Sequence, residues 1–220
     1  MSFGTIYTHK PNPRTTAILA IAKAHGLKLD IIYAERENKE NYEKLLQVNP
    51  LGQVPTFVGA DGHVLTESIA IALYITSQSD TTTLLGSSRR DYYEILKWMC
   101  LAISDLLPAI GGVVLPLIGK HLVVRKNSED CLRALYADCK LLENHLQKNK
   151  YLVGDRLTLA DLFTVGNIQF AFVVLHKVLH AEYPRLTEWF NEIYEMPMFK
   201  DVAGDLHLAD MPIPTLPEDK

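Results

Sequence analysis

The sequence predicts an α/β domain in residues 1–78, a linker in residues 79–88 and an all-helical domain in residues 89–220. Short apolar runs of strand length alternate with helix-length patterns before residue 78, and a hairpin turn separates the last two runs. From residue 89 onward, apolar residues recur at three- and four-residue spacing. The expected order is βαβ–ββα with a mixed four-stranded sheet, followed by helices.

The first predicted unit is a strand, a helix and a second strand. Thr5–Thr8 is a short strand-like run, and a helix begins at Arg14 after a proline-containing loop. Gly26 is a natural end for that helix, and Leu29–Tyr33 alternates apolar and polar side chains as a strand does. This order implies a parallel pair of strands with a right-handed crossover. The charged residues 35–44 predict a loop and a short, loosely held helix.

The stretch Val48–Gln78 is where a binding site is expected. Val54 and Pro55 lie in a turn before an apolar run, where an X-Pro bond favours the cis form more than elsewhere. Asp61–Gly62 is a hairpin signal. The helix that opens at residues 66–68 is apolar almost all round, which predicts burial. A turn beside a helix N-terminus can bind an anion or a peptide.

The second half is predicted to open with one long helix, Arg89–Ile110, that bends or ends near Pro108. The apolar stripe of this helix consists of Tyr92, Ile95, Leu96, Met99, Ile103 and Leu107. Val113–His121 is a second, interrupted apolar piece. Ser128 is expected to cap the next helix, whose stripe consists of Leu132, Leu135, Cys139, Leu142 and Leu146.

A capping-box pattern introduces the most apolar helix, Leu162–Leu179. The pattern pairs Thr158 with Asp161, which replaces the usual Glu or Gln, so Asp161 is assigned to folding. Pro184 begins the last clear helix. The tail Ala209–Lys220 contains three prolines and is expected to run extended over the helical domain.

Composition excludes several classes of function. The net charge of −4 disfavours a nucleic-acid surface, which needs a basic excess. No run is expected to approach the roughly 20 apolar residues of a membrane span, and the first ten residues lack a signal-peptide core. Three cysteines without metal-type spacing predict small packed residues in a reduced cytoplasmic protein. Neither a metal, a nucleic acid nor a membrane is therefore expected as a partner.

Three motifs in this chain resemble the glutathione S-transferase superfamily, and the resemblance covers essentially the whole chain. They are NPLGQVP at Asn49–Pro55, LTES at Leu65–Ser68 and LTLAD at Leu157–Asp161. The resemblance implies a thioredoxin-like first domain, and an all-helical second domain that contributes a site for a second substrate.

Shorter segments narrow the resemblance. Gly4–Tyr7, Leu101–Leu106 and Leu208–Pro212 look like the transferase-like domain of translation elongation factor 1 gamma subunits. Pro11 and Asn12 are similar to the fungal nitrogen-regulator-like transferases, whose asparagine assists the glutathione thiol.

The resemblance implies a set of glutathione contacts. The main chain of Val54, held by Pro55, would pair with the cysteinyl residue like an added strand. Glu67 and Ser68 would receive the γ-glutamyl end at a helix N-terminus. The alternative for this pair is helix capping alone. Gln53 is a further candidate contact. Lys39 or Lys44 is the candidate partner for the glycine carboxylate, because Glu40 has the wrong sign.

Thiol activation has three candidates, because no Ser, Cys or Tyr lies at the expected place after the first strand. Asn12 is the first choice, Thr8 the second and Lys10 the third, each able to stabilise a thiolate. The alternative for Asn12 is a turn residue between two prolines. Tyr7 is expected to face the other side of the sheet from Ile6.

The resemblance also implies a site for a hydrophobic electrophile between the domains, with Tyr92, Met99, His121 and the C-terminal tail as its candidate lining. Asp105 lies where some relatives reach across a two-fold axis to the glutathione of the partner subunit, so a homodimer is expected.

Two functions of different classes follow. The first is an enzyme that conjugates an electrophile to glutathione, or isomerises it by reversible addition, with secondary metabolism as one setting. The second is a non-catalytic module of a translation complex, like the elongation-factor gamma subunit. Those subunits continue into a lysine-rich linker and another domain, and the end at Lys220 favours the enzyme. A structural protein that has lost glutathione binding is a third reading.

Overall fold

A computed structural model describes residues 2–122, 124–212 and 216 of the chain. Its single sheet has the strand order β2-β1-β3-β4. Strand β1 pairs parallel with β2 and antiparallel with β3, and β3 pairs antiparallel with β4. The predicted mixed four-stranded sheet is therefore confirmed, with the strands β1 (Gly4–Thr8), β2 (Leu29–Tyr33), β3 (Thr56–Gly59) and β4 (Val64–Thr66).

Helices cover both faces of this sheet, namely α1 (Pro13–Ala24), α2 (Lys39–Val48) and α3 (Ser68–Thr76). Ile6 belongs to the main core, whereas Tyr7 packs with Ala34 and Leu45 in a separate cluster. The predicted opposite orientation of Ile6 and Tyr7 is thus confirmed. Helix α2 is longer than the loosely held helix expected from its charges, because Leu45 anchors it with no exposed surface.

The second half of the described chain is helical, with α4 (Arg89–Leu101), α5 (Leu107–Leu117), α6 (Arg125–Leu146), α7 (Leu159–Glu182), α8 (Pro184–Tyr194) and α9 (Pro197–Ala203). A π-helical turn, Ala102–Leu106, joins α4 to α5. The sequence predicted a bend or an end near Pro108. The helical path continues past Pro108, and its irregular turn lies just before it. Pro108 lies in the first turn of α5, where a missing backbone N–H is tolerated, and the wider π turn precedes it.

Some helix assignments differ from the sequence prediction. Helix α6 begins at Arg125, so Ser128 lies inside it and does not cap it; its hydroxyl contacts the Gly112 carbonyl at 3.4 Å. The predicted apolar stripe of α6 is confirmed, since each of its five residues is at most 1% exposed. Helix α9 follows α8 and was not predicted. It is anchored by Phe199, which is fully buried.

Helix α7 is the centre of the core and the main contact between the two halves. It packs along α1 at Gly166, where a Cβ atom would lie 3.3 Å from the Pro13 carbonyl oxygen. A side chain at this position would push the two helices apart. The glycine thus sets how closely the helical domain approaches the first turn of α1.

Two helical stretches, Arg89–Leu117 and Leu159–Glu182, are long and apolar enough to cross a membrane by length and composition alone. This corrects the expectation that no stretch approaches that length. The apolar window of the second is 72% buried, as in the core helix of a globular protein, and that of the first is 39% buried. Such helices are weak evidence for a membrane, because core helices meet the same criteria.

The C-terminal tail begins against the helical domain. The Ala209 N–H donates to the Val173 carbonyl of α7 at 2.9 Å, and Asp210 pairs with Lys177 at 2.6 Å. The remainder of the predicted extended tail lies largely outside the described residues. Cys100, Cys131 and Cys139 are free thiols.

Candidate functional site

One end of the sheet collects the predicted glutathione contacts. In the strand register, Tyr7 of β1 faces Thr56 of β3, and Thr56 faces Thr66 of β4. The loop after β1, the turn before β3 and the residues after β4 therefore leave the sheet at the same end. Adjacent strands are about 5 Å apart, so these three segments form one surface, which we call the sheet-edge site. It comprises Asn12, Arg14, Val54, Glu67 and Ser68.

The turn before β3 is held from beneath by Asn49, which is 5% exposed. Its Nδ2 atom donates to the Gln53 carbonyl at 3.1 Å and to Thr56 Oγ1 at 2.9 Å. The Val54–Pro55 bond is cis, a form that an X-Pro bond in a turn allows. Among the described residues, the main-chain N–H and C=O of Val54 bond to no partner. The turn thus presents a free donor and a free acceptor, as an unpaired strand edge does.

Glu67 and Ser68 form the junction of β4 and α3. Glu67 has φ 66° and ψ 119°, a conformation that only glycine adopts readily. It makes no side-chain capping bond, and the first N–H groups of a helix have no partner within the helix. Ser68 is 5% exposed, and Glu67 is exposed. Capping alone therefore does not describe this pair, because the helix start keeps free donors for an anion.

Arg14 adds a positive charge that sequence reasoning missed. It lies in the first turn of α1 and is close enough to Glu67 for their charges to interact. The surrounding protein lowers the pKa of Arg14 by displacing water, and the carboxylate of Glu67 opposes this. The sequence shows an arginine two residues after Asn12, which could have marked it as a candidate. Its proximity to Glu67 depends on the tertiary structure and is not visible in the sequence.

Asn12 and Thr8 belong to one hydrogen-bonded group. Asn12 caps α1, since its Oδ1 atom accepts the Arg14 N–H at 3.1 Å. Its Nδ2 atom donates to Thr8 Oγ1 at 3.2 Å, and Thr8 Oγ1 lies 2.8 Å from Thr15 Oγ1. An asparagine amide has two N–H donors, so one N–H of Asn12 is not used by these bonds. Thr8 is only 2% exposed.

Lys10 lies beside the outer strand β2. Its ammonium is 5.9 Å from the centroid of the Tyr33 ring, and its main-chain N–H donates to Glu35 at 3.0 Å. Lys39 is the exposed first residue of α2, and the nearby Lys44 is paired with Glu40 at 2.6 Å. Gln53 has an exposed side chain, while its carbonyl oxygen is engaged by Asn49 and Thr56.

The three residues predicted to line the second-substrate site do not meet, which corrects that prediction. Met99 is fully buried in the core. Tyr92 lies in the first turn of α4, and His121 follows the end of α5. The helical path between them is about 35 Å long at 1.5 Å per residue. A stripe of core residues and the lining of a cleft have the same helical spacing, so the sequence alone did not separate them.

Asp105 is exposed in the π turn and lines a cleft of about 680 Å³ between α4 and α6. Burial, together with the charge of Asp105, raises the pKa of Asp138 on α6 to about 6. This cleft is formed by residues of α4, the π turn and α6, whereas the sheet-edge site is formed by the sheet end, α1 and α3. Among the described residues, no group of three or more His, Cys, Asp or Glu could hold a metal.

Asp161 is part of the fold, as the sequence predicted. The capping box is present, with Thr158 N–H and Oγ1 both donating to Asp161 Oδ2, at 2.9 and 2.8 Å. Its other oxygen accepts from Leu152 N–H at 2.8 Å and Trp189 Nε1 at 3.2 Å. Burial raises the pKa of Asp161, and these donors oppose the rise.

A small thioredoxin-like domain with a four-stranded mixed sheet, joined to a helical domain, defines a class of two-domain proteins. Family models agree with this class. The glutathione S-transferase N-terminal domain matches residues 2–77, and the corresponding C-terminal domain matches residues 106–197.

Individual relatives match along the whole chain. Glutathione S-transferase stcT of Emericella nidulans is 47% identical over 218 residues, which cover 99% of both chains. Glutathione S-transferase mdpJ of the same fungus is 45% identical over 204 residues, 93% of this chain and 92% of the relative. The crystal structure of the GST-like domain of elongation factor 1-gamma from Saccharomyces cerevisiae has a TM-score of 0.82 at 29% identity, covering 99% and 100% of the two chains. The chain belongs to the glutathione S-transferase family.

Proposed function

We propose that the protein binds glutathione at the sheet-edge site and activates its thiol for addition to a hydrophobic, electrophilic small molecule. The observation that carries this proposal is the convergence of three segments at one sheet end. One offers the free main-chain groups of Val54, one the uncapped start of α3 and one the Asn12 amide. A peptide with a carboxylate, an ammonium and a thiol matches these three features.

The peptide part of glutathione would lie along the turn before β3. The N–H and C=O of Val54 would pair with the cysteinyl residue, as an added strand pairs with a sheet edge. Pro55 and the buried Asn49 hold this turn in place. Gln53 is exposed beside it and would contact the peptide, and Lys39 would offer a positive charge to the glycine carboxylate.

The γ-glutamyl end would lie at the start of α3. Its carboxylate would accept bonds from the free N–H groups and from the hydroxyl of Ser68, where the helix dipole also favours negative charge. Its ammonium would pair with Glu67. The nearby Arg14 is close enough for its positive charge to interact with the carboxylate of Glu67.

Asn12 is the best placed of the three candidates for thiol activation. Its Oδ1 and Nδ2 atoms are held by Arg14 N–H and Thr8 Oγ1, so the remaining N–H has a set direction. A donor to the sulfur stabilises the thiolate over the thiol, whose pKa is ordinarily about 8.5. Thr8 is buried and already bonded, and the Lys10 ammonium lies over the Tyr33 ring.

The activated thiolate supports two reactions. In conjugation, the sulfur attacks an electrophilic carbon and a leaving group departs with its bonding pair, or a conjugated alkene is attacked and its carbanion then takes a proton. In isomerisation, the same attack converts the alkene to a single bond, which rotates before the carbanion expels the thiolate. Each is nucleophilic catalysis by one thiolate. We place the electrophile in secondary metabolism, and the genes adjacent to this one provide the first check.

Binding is tested by calorimetric titration with glutathione, for which we expect a measurable heat. The matched pair Asn12→Asp and Ser88→Ala then tests activation. Asn12→Asp keeps the cap acceptor but has no N–H to donate, so thiol addition should fall about tenfold or more with little change in binding of S-methylglutathione. Ser88→Ala removes the cap of α4, a helix that does not form the sheet-edge site, and should leave turnover unchanged.

Three results would count against this proposal. No heat and no thermal shift with glutathione would contradict the proposed enzymatic function. Normal turnover in Asn12→Asp would transfer activation to Thr8 or Lys10. Equal losses of activity in Asn12→Asp and Ser88→Ala would indicate a general loss of folding.

We also propose that the protein is a cytoplasmic homodimer that associates through α4 and α6. Tyr93 and Leu141 on these helices are large apolar residues that are 66% and 48% exposed, and Leu141 lines the same cleft as Asp105. Exposed apolar patches mark association surfaces. Sedimentation should give the mass of two chains, and Leu141→Glu should give one. A wild-type protein that sediments as one chain would contradict the homodimer.

The alternative function is a non-catalytic module of a translation complex. It is favoured by the likeness to the GST-like domain of yeast elongation factor 1-gamma over 99% of this chain. The enzyme is preferred, because curated glutathione S-transferases are more similar, at 45–47% identity. Co-purification with a nucleotide-exchange subunit, together with no heat on titration with glutathione, would support the alternative.

A further inference from the structure

Helix α7 reaches the residue that we assign to thiol activation through two buried polar side chains. Gln169 of α7 is 7% exposed, and Thr16 of α1 is 8% exposed. Gln169 Nε2 lies 3.2 Å from Thr16 Oγ1, and Thr16 Oγ1 lies 3.2 Å from the Asn12 carbonyl oxygen. These contacts link the helical domain to the N-cap of α1.

The direction of these hydrogen bonds follows from which atoms can donate and which can only accept. Gln169 Nε2 also lies 2.8 Å from the Gly166 carbonyl, which can only accept, so Nε2 is the donor. Its second N–H then donates to Thr16 Oγ1, and the Thr16 hydroxyl donates to the Asn12 carbonyl. Bonds arranged in one direction polarise and strengthen one another.

The close approach at Gly166 makes this link short. The missing side chain allows α7 to come near the Pro13 carbonyl, one residue after Asn12. A turn of α7 is therefore docked on the first turn of α1. Within its own domain, Asn12 bonds to Thr8, Arg14 and Thr16. From the helical domain, Gln169 bonds to Thr16 and so reaches Asn12 indirectly.

We propose that Gln169 is a positioning residue of the helical domain, which acts through Thr16 to aim the Asn12 amide at the glutathione sulfur. The inference rests on the proposed function and extends it, since it makes thiol activation depend on contact between the domains. Gln169 touches neither glutathione nor the electrophile in this role. A small displacement of a catalytic donor can lower the rate strongly even when binding persists.

Two variants break the link at different points. Thr16→Val has nearly the same shape and removes the hydroxyl, and Gln169→Leu removes the donor. Thr16→Ser keeps the hydroxyl and is the rescue variant. Thr187→Val is the matched control, because Thr187 is also buried and also donates to a main-chain carbonyl, that of Leu179 at 3.0 Å. Leu179 is about 15 Å along α7 from Gln169.

The readouts separate positioning from simple stability. The pKa of bound glutathione is measured from the ultraviolet absorbance of the thiolate against pH, and kcat is measured at saturating glutathione. We expect Thr16→Val and Gln169→Leu to raise the thiol pKa by about half a unit and to lower kcat by about three- to tenfold. Affinity for S-methylglutathione, which has no ionisable thiol, should stay within about twofold in every variant. Thr16→Ser and Thr187→Val should match wild type.

The combination Asn12→Asp with Gln169→Leu adds a second criterion. Because Gln169 acts through Asn12, the double variant should lose no more activity than Asn12→Asp alone. Additive losses would indicate that Gln169 acts by another route and would overturn the inference.

The remaining outcomes distinguish the two proposals. If Asn12→Asp raises the thiol pKa while Thr16→Val and Gln169→Leu only lower the melting temperature, Gln169 is structural, and the proposed function stands without it. If the wild-type protein does not lower the thiol pKa, the proposed role of Asn12 fails and the role of Gln169 fails with it. Should Gln169→Leu not fold, Thr16→Val alone decides, because it conserves the buried volume.

Discussion

Helices α3 and α7 begin in opposite ways. At the start of α7, Thr158 and Asp161 form a closed set of bonds in which the carboxylate accepts four hydrogen bonds, and Asp161 has no exposed surface. At the start of α3, Glu67 makes no capping bond, holds a positive φ and is exposed. One helix start is satisfied by its own chain, and the other keeps its donors.

The two helix starts have similar residues, but one is part of the fold and the other is the start that we propose to bind glutathione. Both starts have polar residues before an apolar helix, and both have the positive end of a helix dipole. A satisfied start can stabilise the fold but has no donor left for a ligand. An unsatisfied start lowers stability and is retained where a ligand completes it, which agrees with residues in strained backbone lying near functional sites.

The largest expected effect on stability is at the start of α7, where the hydrogen bonds of Asp161 are all made within the chain. Asp161→Ala leaves the N–H groups of Leu152 and Trp189 buried without an acceptor. We expect the free energy of unfolding to fall by at least about 3 kcal/mol, measured by urea titration with tryptophan fluorescence. The affinity of the remaining folded protein for glutathione should not change.

The exposed Asp155 in the preceding loop is the control for Asp161. Asp155→Ala should alter stability by no more than about 0.5 kcal/mol. If Asp161→Ala costs less than about 1 kcal/mol, the α7 start is not the closed element described above.

At the start of α3, a substitution of Glu67 should raise stability and weaken glutathione binding. Glu67→Gly removes the Cβ atom from the positive-φ position, so the free energy of unfolding should rise by about 1 kcal/mol. The same change removes the carboxylate, so the Kd for glutathione should rise about tenfold. Chemical denaturation and calorimetry measure the two effects.

Glu67→Gln provides the comparison for Glu67→Gly. It removes the charge but keeps the side-chain strain, so it should lose the same affinity without the gain in stability. Glutathione affinity that is unchanged in both variants would show that the α3 start is not the γ-glutamyl site.

The smallest expected effect on stability is at Asp138. Unlike Asp161 and Glu67, this carboxylate does not lie at a helix start. Its Oδ2 atom is buried without a hydrogen-bond partner, and burial followed by the charge of Asp105 raises its pKa from 3.8 to about 6. Between these values the folded protein binds more protons than the unfolded chain, so this residue makes stability fall as pH rises through the window. Asp138→Asn should be more stable than wild type at neutral pH, by about 1 kcal/mol after solvent screening.

The pH dependence is the decisive part of that test. Below the lower pKa, wild-type Asp138 is protonated in both states, and the two proteins should have equal melting temperatures. A constant difference at every pH would indicate a packing effect and would contradict the assigned titration.

The strands, helices and turns could be predicted from the sequence more fully than the contacts between them. Asn12, Val54, Glu67 and Ser68 lie where strands or turns end in the sequence, and the strand register then brings them to one end of the sheet. Their binding roles remain predictions. Met99 is an example of the less predictable contacts, because helical periodicity placed it in an apolar stripe but did not distinguish the buried core from the lining of a cleft.

The sequence by itself determined the order of strands and helices along the chain, the hairpin and the capping box of α7, because these depend on local spacing and backbone chemistry. Its three motifs also resembled those of the family. Tertiary structure decided which polar groups remain free. Arg14 faces Glu67 across the sheet end, and Gln169 reaches Thr16 over 153 positions of the chain. Hydrogen bonds and charges act through space, so which donors are occupied is decided only when α7 docks on α1.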